Sequence, residues 1–283
     1  MSFTQTYILL NSFVNKLNDV PLVNFKQGNI YYEVHGKGRA IVFLHGFLGS
    51  TKIWHEYIQK FSTSHKVILI DLPGHGKSDC YGYIHTMELM AESVKVVLDN
   101  LNLRRYILVG HSMGGYASLA FAEMYPDNLK GLVLFHSTAV ADSDIKKLER
   151  TRSINLVKRS KGNYVRGAIL NLFNPNLLQF FEPQIKMCED IANKINQRAI
   201  VDSLEGMKQR LNREVILKFA EYPILFVASI NDKLIPYDSI EQQSKLPKRA
   251  YVAKLKQAAH MSMFEEKTTS QKYLSKFFNM IYS

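Results

Sequence analysis

The chain has 283 residues, of which 46% are hydrophobic and 22% are charged. This balance is typical of a globular protein with a large core and excludes disordered, collagen-like and disulfide-scaffold chains. The 36 Lys and Arg residues exceed the 25 Asp and Glu residues and give a net charge of +11, so nucleic acid or an anionic surface has to be considered as a partner.

The cysteines and the hydropathy pattern indicate the compartment. Two cysteines, Cys80 and Cys188, are too few for a disulfide framework and show no metal-ligand spacing, which favours a reducing environment. No stretch approaches the about 18 consecutive apolar residues of a membrane span, and the N-terminus lacks the basic start and cleavage site of a signal peptide. We therefore expect a cytoplasmic protein without a membrane span, as a monomer or a homodimer.

Residues 1–23 form a predicted N-terminal extension. One face of it carries apolar residues at helical spacing, which predicts an extra helix packed on the body. A membrane-surface anchor is the alternative, although Lys16 is the only cation opposite this stripe. The stripe consists of Leu10, Phe13, Val14 and Leu17.

Further along the chain, β-rich runs alternate with helical patterns. Several runs are continuously apolar, which is typical of strands covered by helices on both faces. The turn at residues 27–29 predicts an antiparallel first pair of strands. This order of elements predicts a doubly wound, mostly parallel α/β sheet. The predicted strands span residues 30–34, 40–44, 67–70, 106–109, 132–135, 224–227 and 251–255, and the predicted helices span 53–61, 87–101 and 116–125.

The alternation stops between residues 139 and 219. This stretch has no clear strand, and the breakers Asn174-Pro175 and Glu182-Pro183 favour short helices over one long element. We predict a helical cap, or lid, over residues 139–219, inserted into an α/β core formed by residues 24–138 and 220–283. A closing amphipathic helix is predicted from Tyr273, Leu274, Phe277, Phe278 and Ile281.

The segment Gly110-His111-Ser112-Met113-Gly114 carries the strongest chemical signal. It follows a β-run and precedes a helical pattern, and glycines flanking the serine suit a sharp strand-to-helix turn that leaves no room for Cβ atoms. Ser112 would stand at a helix N-terminus, where the dipole and free N–H groups favour a developing negative charge.

A serine becomes a nucleophile only when a base takes its proton and an acid orients that base. His260 lies in a predicted loop between the last strand and the last helix. Asp232 follows a strand, at the carboxyl end where open α/β sheets place their ligand sites. The order along the chain is Ser, Asp, His.

With these motifs, nearly the whole chain from about residue 24 resembles the α/β-hydrolase fold family. Residues 45–50, His-Gly-Phe-Leu-Gly-Ser, resemble its oxyanion loop, and residues 71–78, Asp-Leu-Pro-Gly-His-Gly-Lys-Ser, resemble its loop after the fourth strand. The resemblance implies that Ser112 is the nucleophile, His260 the general base and then acid, and Asp232 the group that fixes the imidazole tautomer. It also implies that the oxyanion is bound by the backbone N–H groups of Phe47 and Met113.

Some roles stay open at this point. Asp142 is an alternative acid, because some members of the family carry the acid after the sixth strand. His136 either lines the pocket or is a core histidine, and Leu172 and Phe173 are either pocket walls or interior residues of the cap. The residues that we predict to bind substrate are His45, Gly46, His111, His136, Leu172 and Phe173.

The reaction predicted from these residues is hydrolysis of a small to medium carboxylic ester through an acyl-serine intermediate. Alternatives on the same fold are a carbon-carbon bond hydrolase or lyase using the same triad, a cofactor-free peroxidase-like activity, and a ligand-binding receptor. We predict no cofactor and no metal, because no His-Glu-x-x-His motif and no Gly-x-Gly-x-x-Gly motif after a strand is present.

The basic charge is concentrated in the predicted cap. Residues 139–219 contain 15 basic and nine acidic residues, a net charge of +6. No nucleic-acid-binding module accompanies them, so we predict that nucleic acid is not a partner. Two interpretations remain, a solvated basic surface or a field that steers an anionic substrate to the pocket.

Overall fold

The computed structural model describes residues 21–283. The helix predicted from the stripe between Leu10 and Leu17 lies outside these residues. None of the helices within residues 21–283 is long and apolar enough to cross a lipid bilayer.

An eight-stranded sheet forms the centre of the described chain, and its strand order is β1-β2-β4-β3-β5-β6-β7-β8. The β1–β2 and β2–β4 pairs are antiparallel and all the others are parallel. This confirms the predicted mostly parallel sheet and its antiparallel first pair. The strands are β1 Leu22–Phe25, β2 Gly28–His35, β3 Ala40–Leu44, β4 Lys66–Ile70, β5 Tyr106–His111, β6 Leu129–Phe135, β7 Ile224–Ser229 and β8 Ala250–Leu255.

The α-helices follow the predicted alternation with strands. Thr86 caps the second of them by accepting the Leu89 N–H, as expected for a threonine at this position. Short 3-10 helices span Thr51–Trp54, Pro126–Asn128 and Leu178–Phe180. The α-helices are α1 His55–Phe61, α2 Met87–Asn100, α3 Met113–Met124, α4 Asp144–Leu170, α5 Glu182–Lys194, α6 Gln197–Gln209, α7 Glu214–Phe219, α8 Tyr237–Gln243, α9 Ser262–Glu265 and α10 Lys267–Tyr282.

The central strands carry the core. Every residue of β3 and β5 is buried, which accounts for their continuously apolar sequences. Phe43 of β3 lies against Trp54, with 5.0 Å between ring centroids, and meets Phe278 of α10 edge to face. The closing helix thus covers one face of the sheet, as its apolar pattern predicts.

Residues 139–219, called the insertion below, leave the sheet after β6 and return at β7 as helices α4 to α7. The prediction of short helices is wrong for α4, which is 27 residues long. No proline interrupts its sequence, and the helix kinks only at Ser160, where φ is −156° and ψ is 78°. The predicted breakers do act further on, because α5 begins at Glu182 with Pro183 in its first turn.

Candidate active site

Ser112 lies at the sharp turn between β5 and α3. Its φ of 50° and ψ of −114° form a conformation that costs a non-glycine residue energy and persists only where the surroundings enforce it. The flanking glycines explain how the turn fits. A Cβ on Gly110 would lie 2.4 Å from the Gly114 carbonyl oxygen, and one on Gly114 would lie 2.5 Å from the His45 carbonyl oxygen.

Backbone contacts hold Ser112 in this position. Its N–H donates to the Phe135 carbonyl at 3.0 Å, and its own carbonyl accepts the Ser137 hydroxyl at 2.8 Å. The side chain is half-buried and faces a cavity described below. The strained serine is therefore fixed on the sheet while its hydroxyl stays accessible.

His260 and Asp232 form a hydrogen-bonded pair close to this turn. The His260 Nδ1 lies 2.7 Å from the Asp232 Oδ2. Since an ionised carboxylate can only accept, Nδ1 carries the proton and Nε2 keeps its lone pair. The other oxygen of Asp232 accepts the N–H groups of Leu234 at 2.9 Å and Ile235 at 3.0 Å. The turn after β7 thus fixes the carboxylate, and the carboxylate fixes the imidazole.

A second histidine, His136, contacts the same carboxylate. Its Nδ1 lies 2.9 Å from the Asp232 Oδ2 and its Nε2 lies 2.7 Å from the Ser262 hydroxyl. His136 has a φ of 49° and is completely buried. Sequence reasoning missed this contact. The contact requires β6 and β7 to pair side by side, which the sequence pattern did not fix.

The electrostatics of the group favour an ionised Asp232 beside a neutral His136. Burial alone would raise the pKa of Asp232, but the charge of His260 and the hydrogen bonds from both histidines outweigh burial and hold this pKa well below its ordinary value. Burial lowers the pKa of His136, although its hydrogen bond to Asp232 opposes the shift. Burial also keeps the pKa of His111 well below its usual range.

The loop that carries His260 is held by acidic residues of the last helices. The Glu265 carboxylate accepts the Ala259 N–H at 2.9 Å and the Glu266 carboxylate accepts the Ala258 N–H at 2.8 Å. The His260 N–H donates to the Leu172 carbonyl of the insertion at 3.0 Å. Glu265 and Glu266 were not among the predicted site residues, and Leu172 was predicted as a substrate contact and not as a support of this loop.

Two N–H groups near Ser112 have no acceptor in the described part of the chain. Within residues 21–283, we find no acceptor for the backbone N–H of Phe47 or of Met113. Met113 opens α3, where the first N–H groups of a helix have no intrahelical partner. Both groups are therefore available to an oxygen atom of a bound molecule.

Two buried histidines hold the loop of Phe47 in place. His45 donates through Nδ1 to the Gly46 carbonyl at 2.8 Å and accepts the Leu72 N–H at 2.9 Å. His75 accepts the Leu48 N–H at 3.3 Å. Burial lowers the pKa of His45 to about 4, and burial with the neighbouring His45 lowers that of His75 to about 3. Both imidazoles are neutral supports of the loop at neutral pH.

Because His45 and His75 are neutral in the folded protein, we expect the free energy of unfolding to fall in acid. Their folded pKa values lie below the ordinary value of about 6.5, so the unfolded chain binds more protons between about pH 6.5 and pH 4, and stability falls as pH falls through that window. Burial raises the pKa of Asp71 to about 6, which offsets part of the effect below pH 6. Each titrating group contributes about 1.4 kcal/mol per pH unit. We therefore expect urea unfolding to show a net loss of a few kcal/mol from pH 7 to pH 4, and His75→Gln to reduce this slope. A stability that stays level or rises on acidification would contradict the expectation.

The alternative acid Asp142 has other partners. Its buried carboxylate forms ion pairs with Arg150 and Arg210, and Arg210 also lies over the Tyr116 ring at 4.1 Å. Neither His136 nor His260 contacts Asp142. The structure thus brings Asp232, and not Asp142, to His260.

Ser112 and His260 line a shared cavity of about 490 Å³ between the sheet and the insertion. The two side chains are not hydrogen-bonded to each other in this structure. Helix α4 supplies much of the wall. Of the residues predicted to bind substrate, His111 and Leu172 line this cavity, together with the predicted oxyanion donor Phe47. Gly46 borders a small adjoining void, and a Cβ on it would lie 3.2 Å from that of Ser112.

Three residues predicted to bind substrate do not line the cavity. His45 lies behind the loop and His136 lies behind Asp232, both with no exposed surface. Phe173 is buried against Phe264, with parallel rings 6.3 Å apart. These side chains have the hydrogen-bonding or packing partners of structural residues. For His136 and Phe173 this favours the core and cap-interior alternatives over a substrate contact, and for His45 it does not fit the predicted contact.

His136, Asp232 and His260 are close enough together to be considered as metal ligands. The hydrogen bonds indicate another use. Both Nδ1 atoms point at one carboxylate oxygen, the second oxygen is occupied by backbone N–H groups, and the remaining nitrogen of His136 meets Ser262. The donor set fits a proton-holding network better than a metal site.

The chain was compared with known proteins. A family model described as alpha/beta hydrolase fold matches residues 39–267. The putative carbamate hydrolase RutD of Azorhizobium caulinodans is 27% identical over 227 residues, which cover 77% of this chain and 82% of the relative. A 2-hydroxy-6-oxononadienedioate/2-hydroxy-6-oxononatrienedioate hydrolase of Paraburkholderia phymatum is 38% identical over 124 residues, 40% of this chain and 42% of the relative.

Solved structures agree with this fold. A thermophilic esterase from Thermogutta terrifontis matches with a TM-score of 0.86 at 23% identity, over 90% of this chain and 95% of that chain. The enol-lactonase from Burkholderia xenovorans matches with a TM-score of 0.85 at 18% identity, over 92% of this chain and 100% of that chain. Because the family model spans most of the chain, this protein belongs to the alpha/beta hydrolase fold family.

Proposed function

We propose that the protein is a serine hydrolase that cleaves a carboxylic ester through an acyl intermediate on Ser112. The observation that carries the proposal is that the strained Ser112 and the Asp232-oriented His260 open onto one cavity. The predicted roles of Ser112, His260 and Asp232 as nucleophile, base and orienting acid account for this arrangement without a cofactor.

In the first half-reaction, the Ser112 Oγ attacks the ester carbonyl carbon and its proton passes to the His260 Nε2. The carbonyl oxygen becomes an oxyanion, for which the free N–H groups of Phe47 and Met113 are suitable donors. Collapse of this intermediate expels the alcohol, which takes the proton from His260. Asp232 stabilises the imidazolium while it exists.

In the second half-reaction, His260 takes a proton from water as the water oxygen attacks the acyl carbon. The acid leaves, and Ser112 recovers its proton from His260. The missing Ser112–His260 hydrogen bond in the free protein is consistent with this cycle, because such bonds often tighten only when substrate is bound.

We also propose that the insertion, residues 139–219, acts as the cap and forms most of the substrate pocket. Its helix α4 contributes Leu156, Tyr164 and Ala168 to the cavity wall, opposite Ser112. Pockets that bind small molecules are mostly apolar clefts with a few polar groups. A cavity of about 490 Å³ suits a small to medium ester.

Labelling with a fluorophosphonate tests the proposal. We expect one covalent adduct per chain, mapped by mass spectrometry to Ser112, and loss of the adduct in His260→Ala. The matched control is His55→Ala, because His55 is half exposed, contacts Glu33 and does not line the cavity. An adduct on another serine, or full labelling of His260→Ala, would refute the assignment.

Carbon-carbon bond hydrolysis is the second candidate function. It is supported by the local 38% identity to the Paraburkholderia phymatum hydrolase named above, and the same three residues would serve it. Relative activity on two kinds of substrate distinguishes ester hydrolysis from carbon-carbon bond hydrolysis. Fast turnover of a vinylogous diketone with slow turnover of p-nitrophenyl esters would favour the carbon-carbon reaction.

The charges beside the cavity favour an anionic ester. Lys146 and Arg150 line the cavity together with Glu149. Arg150 shares the Asp142 carboxylate with Arg210, whereas Lys146 forms no ion pair within residues 21–283 and donates to the Leu234 carbonyl at 2.7 Å. Lys146 is therefore expected to attract a substrate that carries a free carboxylate.

We therefore expect Lys146→Met to lower kcat/KM for a half-ester of a dicarboxylic acid about tenfold, the value of one charge-assisted contact. The kcat/KM for the matched neutral diester should stay unchanged. Lys147→Met is the control, because Lys147 is exposed, pairs with Asp144 and does not line the cavity. Equal losses on both esters would count against recognition of an anionic group.

A further inference from the structure

A second cluster of reactive side chains lies away from the cavity, where the loop between β4 and α2 meets helix α6. Cys80 and His85 come from the loop and Asp202 comes from α6. The Cys80 Sγ lies 3.4 Å from the His85 Nε2 and 3.7 Å from the Asp202 Oδ2, and all three ligand atoms lie within 4.8 Å of one another. None of the three lines the cavity of Ser112.

We propose that Cys80, His85 and Asp202 bind a divalent transition-metal cation of the Zn²⁺ class. Thiolate, imidazole and carboxylate are the three ligand types that Zn²⁺ prefers, at about 2.3, 2.0 and 2.1 Å. Tetrahedral angles at these lengths place neighbouring ligand atoms about 3.5 Å apart. The sulfur–nitrogen and sulfur–oxygen distances of 3.4 and 3.7 Å match this spacing.

The imidazole of His85 is oriented for this role. Its Nε2 accepts the Tyr81 N–H, so Nε2 holds the lone pair and Nδ1, which lies 3.3 Å from the Ser203 hydroxyl, carries the proton. Such support of the second nitrogen is typical of metal-binding histidines. The Tyr81 N–H now donates to Nε2 at 3.2 Å, and the metal takes its place.

Charge and access also fit a cation. The thiolate and the Asp202 carboxylate together balance a 2+ ion, and the Cys80 thiol releases its proton to solvent as the metal–sulfur bond forms. Cys80 is exposed, whereas His85 and Asp202 are buried, so the ion has an entry path and a water molecule can complete the coordination. Arg198, half exposed, lies 3.4 Å from the Asp202 Oδ2 and is the cation that the metal displaces.

The backbone around the cluster is closely packed before any metal binds. The His85 N–H donates to the Asp202 carbonyl at 3.0 Å. A Cβ on Gly206 would lie only 1.7 Å from the His85 carbonyl oxygen, so α6 and the loop approach as closely as glycine allows. A bound ion would join the insertion to the core at this contact.

Titration of the metal-free full-length protein with Co²⁺ tests the proposal, because Co²⁺ replaces Zn²⁺ and its bond to a thiolate absorbs in the near ultraviolet. We expect this absorption to saturate at one Co²⁺ per chain and to be absent in Cys80→Ser, a change at an exposed position. Cys188→Ser is the matched control, since Cys188 is buried in α5, and it should keep the absorption. No thiolate absorption, or absorption that survives Cys80→Ser, would overturn the proposal.

Two further measurements test the other ligands. Asp202→Asn should weaken Co²⁺ binding at least about tenfold, and Ser203→Ala about 10- to 100-fold. Zn²⁺ should raise the melting temperature of the wild type and of Cys188→Ser by several degrees, but not that of Cys80→Ser. Unchanged Co²⁺ affinity in Asp202→Asn, or an equal Zn²⁺ shift in Cys80→Ser, would refute the three-ligand site.

Discussion

Replacing Ser112 by alanine is expected to lower kcat for a p-nitrophenyl ester by about 10⁶. The change removes the atom that forms the acyl bond, and a water molecule at the same place lacks the fixed geometry that the strained turn gives to Oγ. Residual catalysis of about 10³- to 10⁴-fold over water would come from the oxyanion donors and substrate binding alone. The measurement is the initial rate with active-site-titrated wild type as reference.

Ser153→Ala is the matched control for this prediction. Ser153 lines the same cavity from helix α4 but has no contact with Asp232 or His260, so its kcat should stay within a few-fold of the wild type. The melting temperature of Ser112→Ala should not fall, because alanine keeps the backbone hydrogen bonds of residue 112. Undiminished turnover by Ser112→Ala would rule out the acyl-serine mechanism, whereas ligand binding without turnover by the wild type would favour the receptor alternative.

The parts of the site that could be predicted from the sequence are those set by local chemistry. The turn at Ser112 depends on glycines within a few residues of it, because a Cβ on Gly110 or Gly114 would collide with nearby backbone. A polar residue after a continuously apolar run also indicates the end of a strand. For this reason Asp232 could be placed at the carboxyl edge of the sheet, and His260 in the loop between the last strand and the last helix.

The parts that could not be predicted depend on which strands and helices become neighbours. His136 meets Asp232 only because β6 pairs with β7. Asp142 meets Arg210 because α6, which Arg210 directly follows, packs against α4. Spacing along the chain gives no sign of either contact, just as it gives no sign that Asp202 lies beside Cys80.

The contacts show which basic residues of the insertion are buried in ion pairs and which lie beside the cavity. Of the basic residues in the insertion, Arg210 and Arg213 are buried in ion pairs, so they act on packing and not on a partner surface. Lys146 instead reaches the cavity wall, where it donates to the Leu234 carbonyl at 2.7 Å. Under the proposed function, Lys146 is therefore the basic residue expected to favour an anionic substrate.

Asp232→Asn is expected to lower kcat by about 10⁴. An amide can donate to the His260 Nδ1, which favours the tautomer with its proton on Nε2 and removes the base that Ser112 needs. The amide also meets His136, whose Nδ1–H now lies 2.9 Å from the same oxygen, so one of the two imidazoles would lose its acceptor. KM should change little, because Asp232 does not line the cavity.

Asp142→Asn gives the matching test of the alternative acid. Removing one partner of a buried ion pair costs about 3–5 kcal/mol, so this variant should unfold at lower urea concentration, while kcat per fluorophosphonate-titrated site stays within a few-fold of the wild type. Asp232→Asn should show the opposite pattern, a large loss of turnover in a folded protein. The opposite result would be loss of turnover per titrated site in Asp142→Asn with turnover kept in Asp232→Asn. In that case Asp142 would have to be the orienting acid, and the 2.7 Å contact between Asp232 and His260 would be structural only.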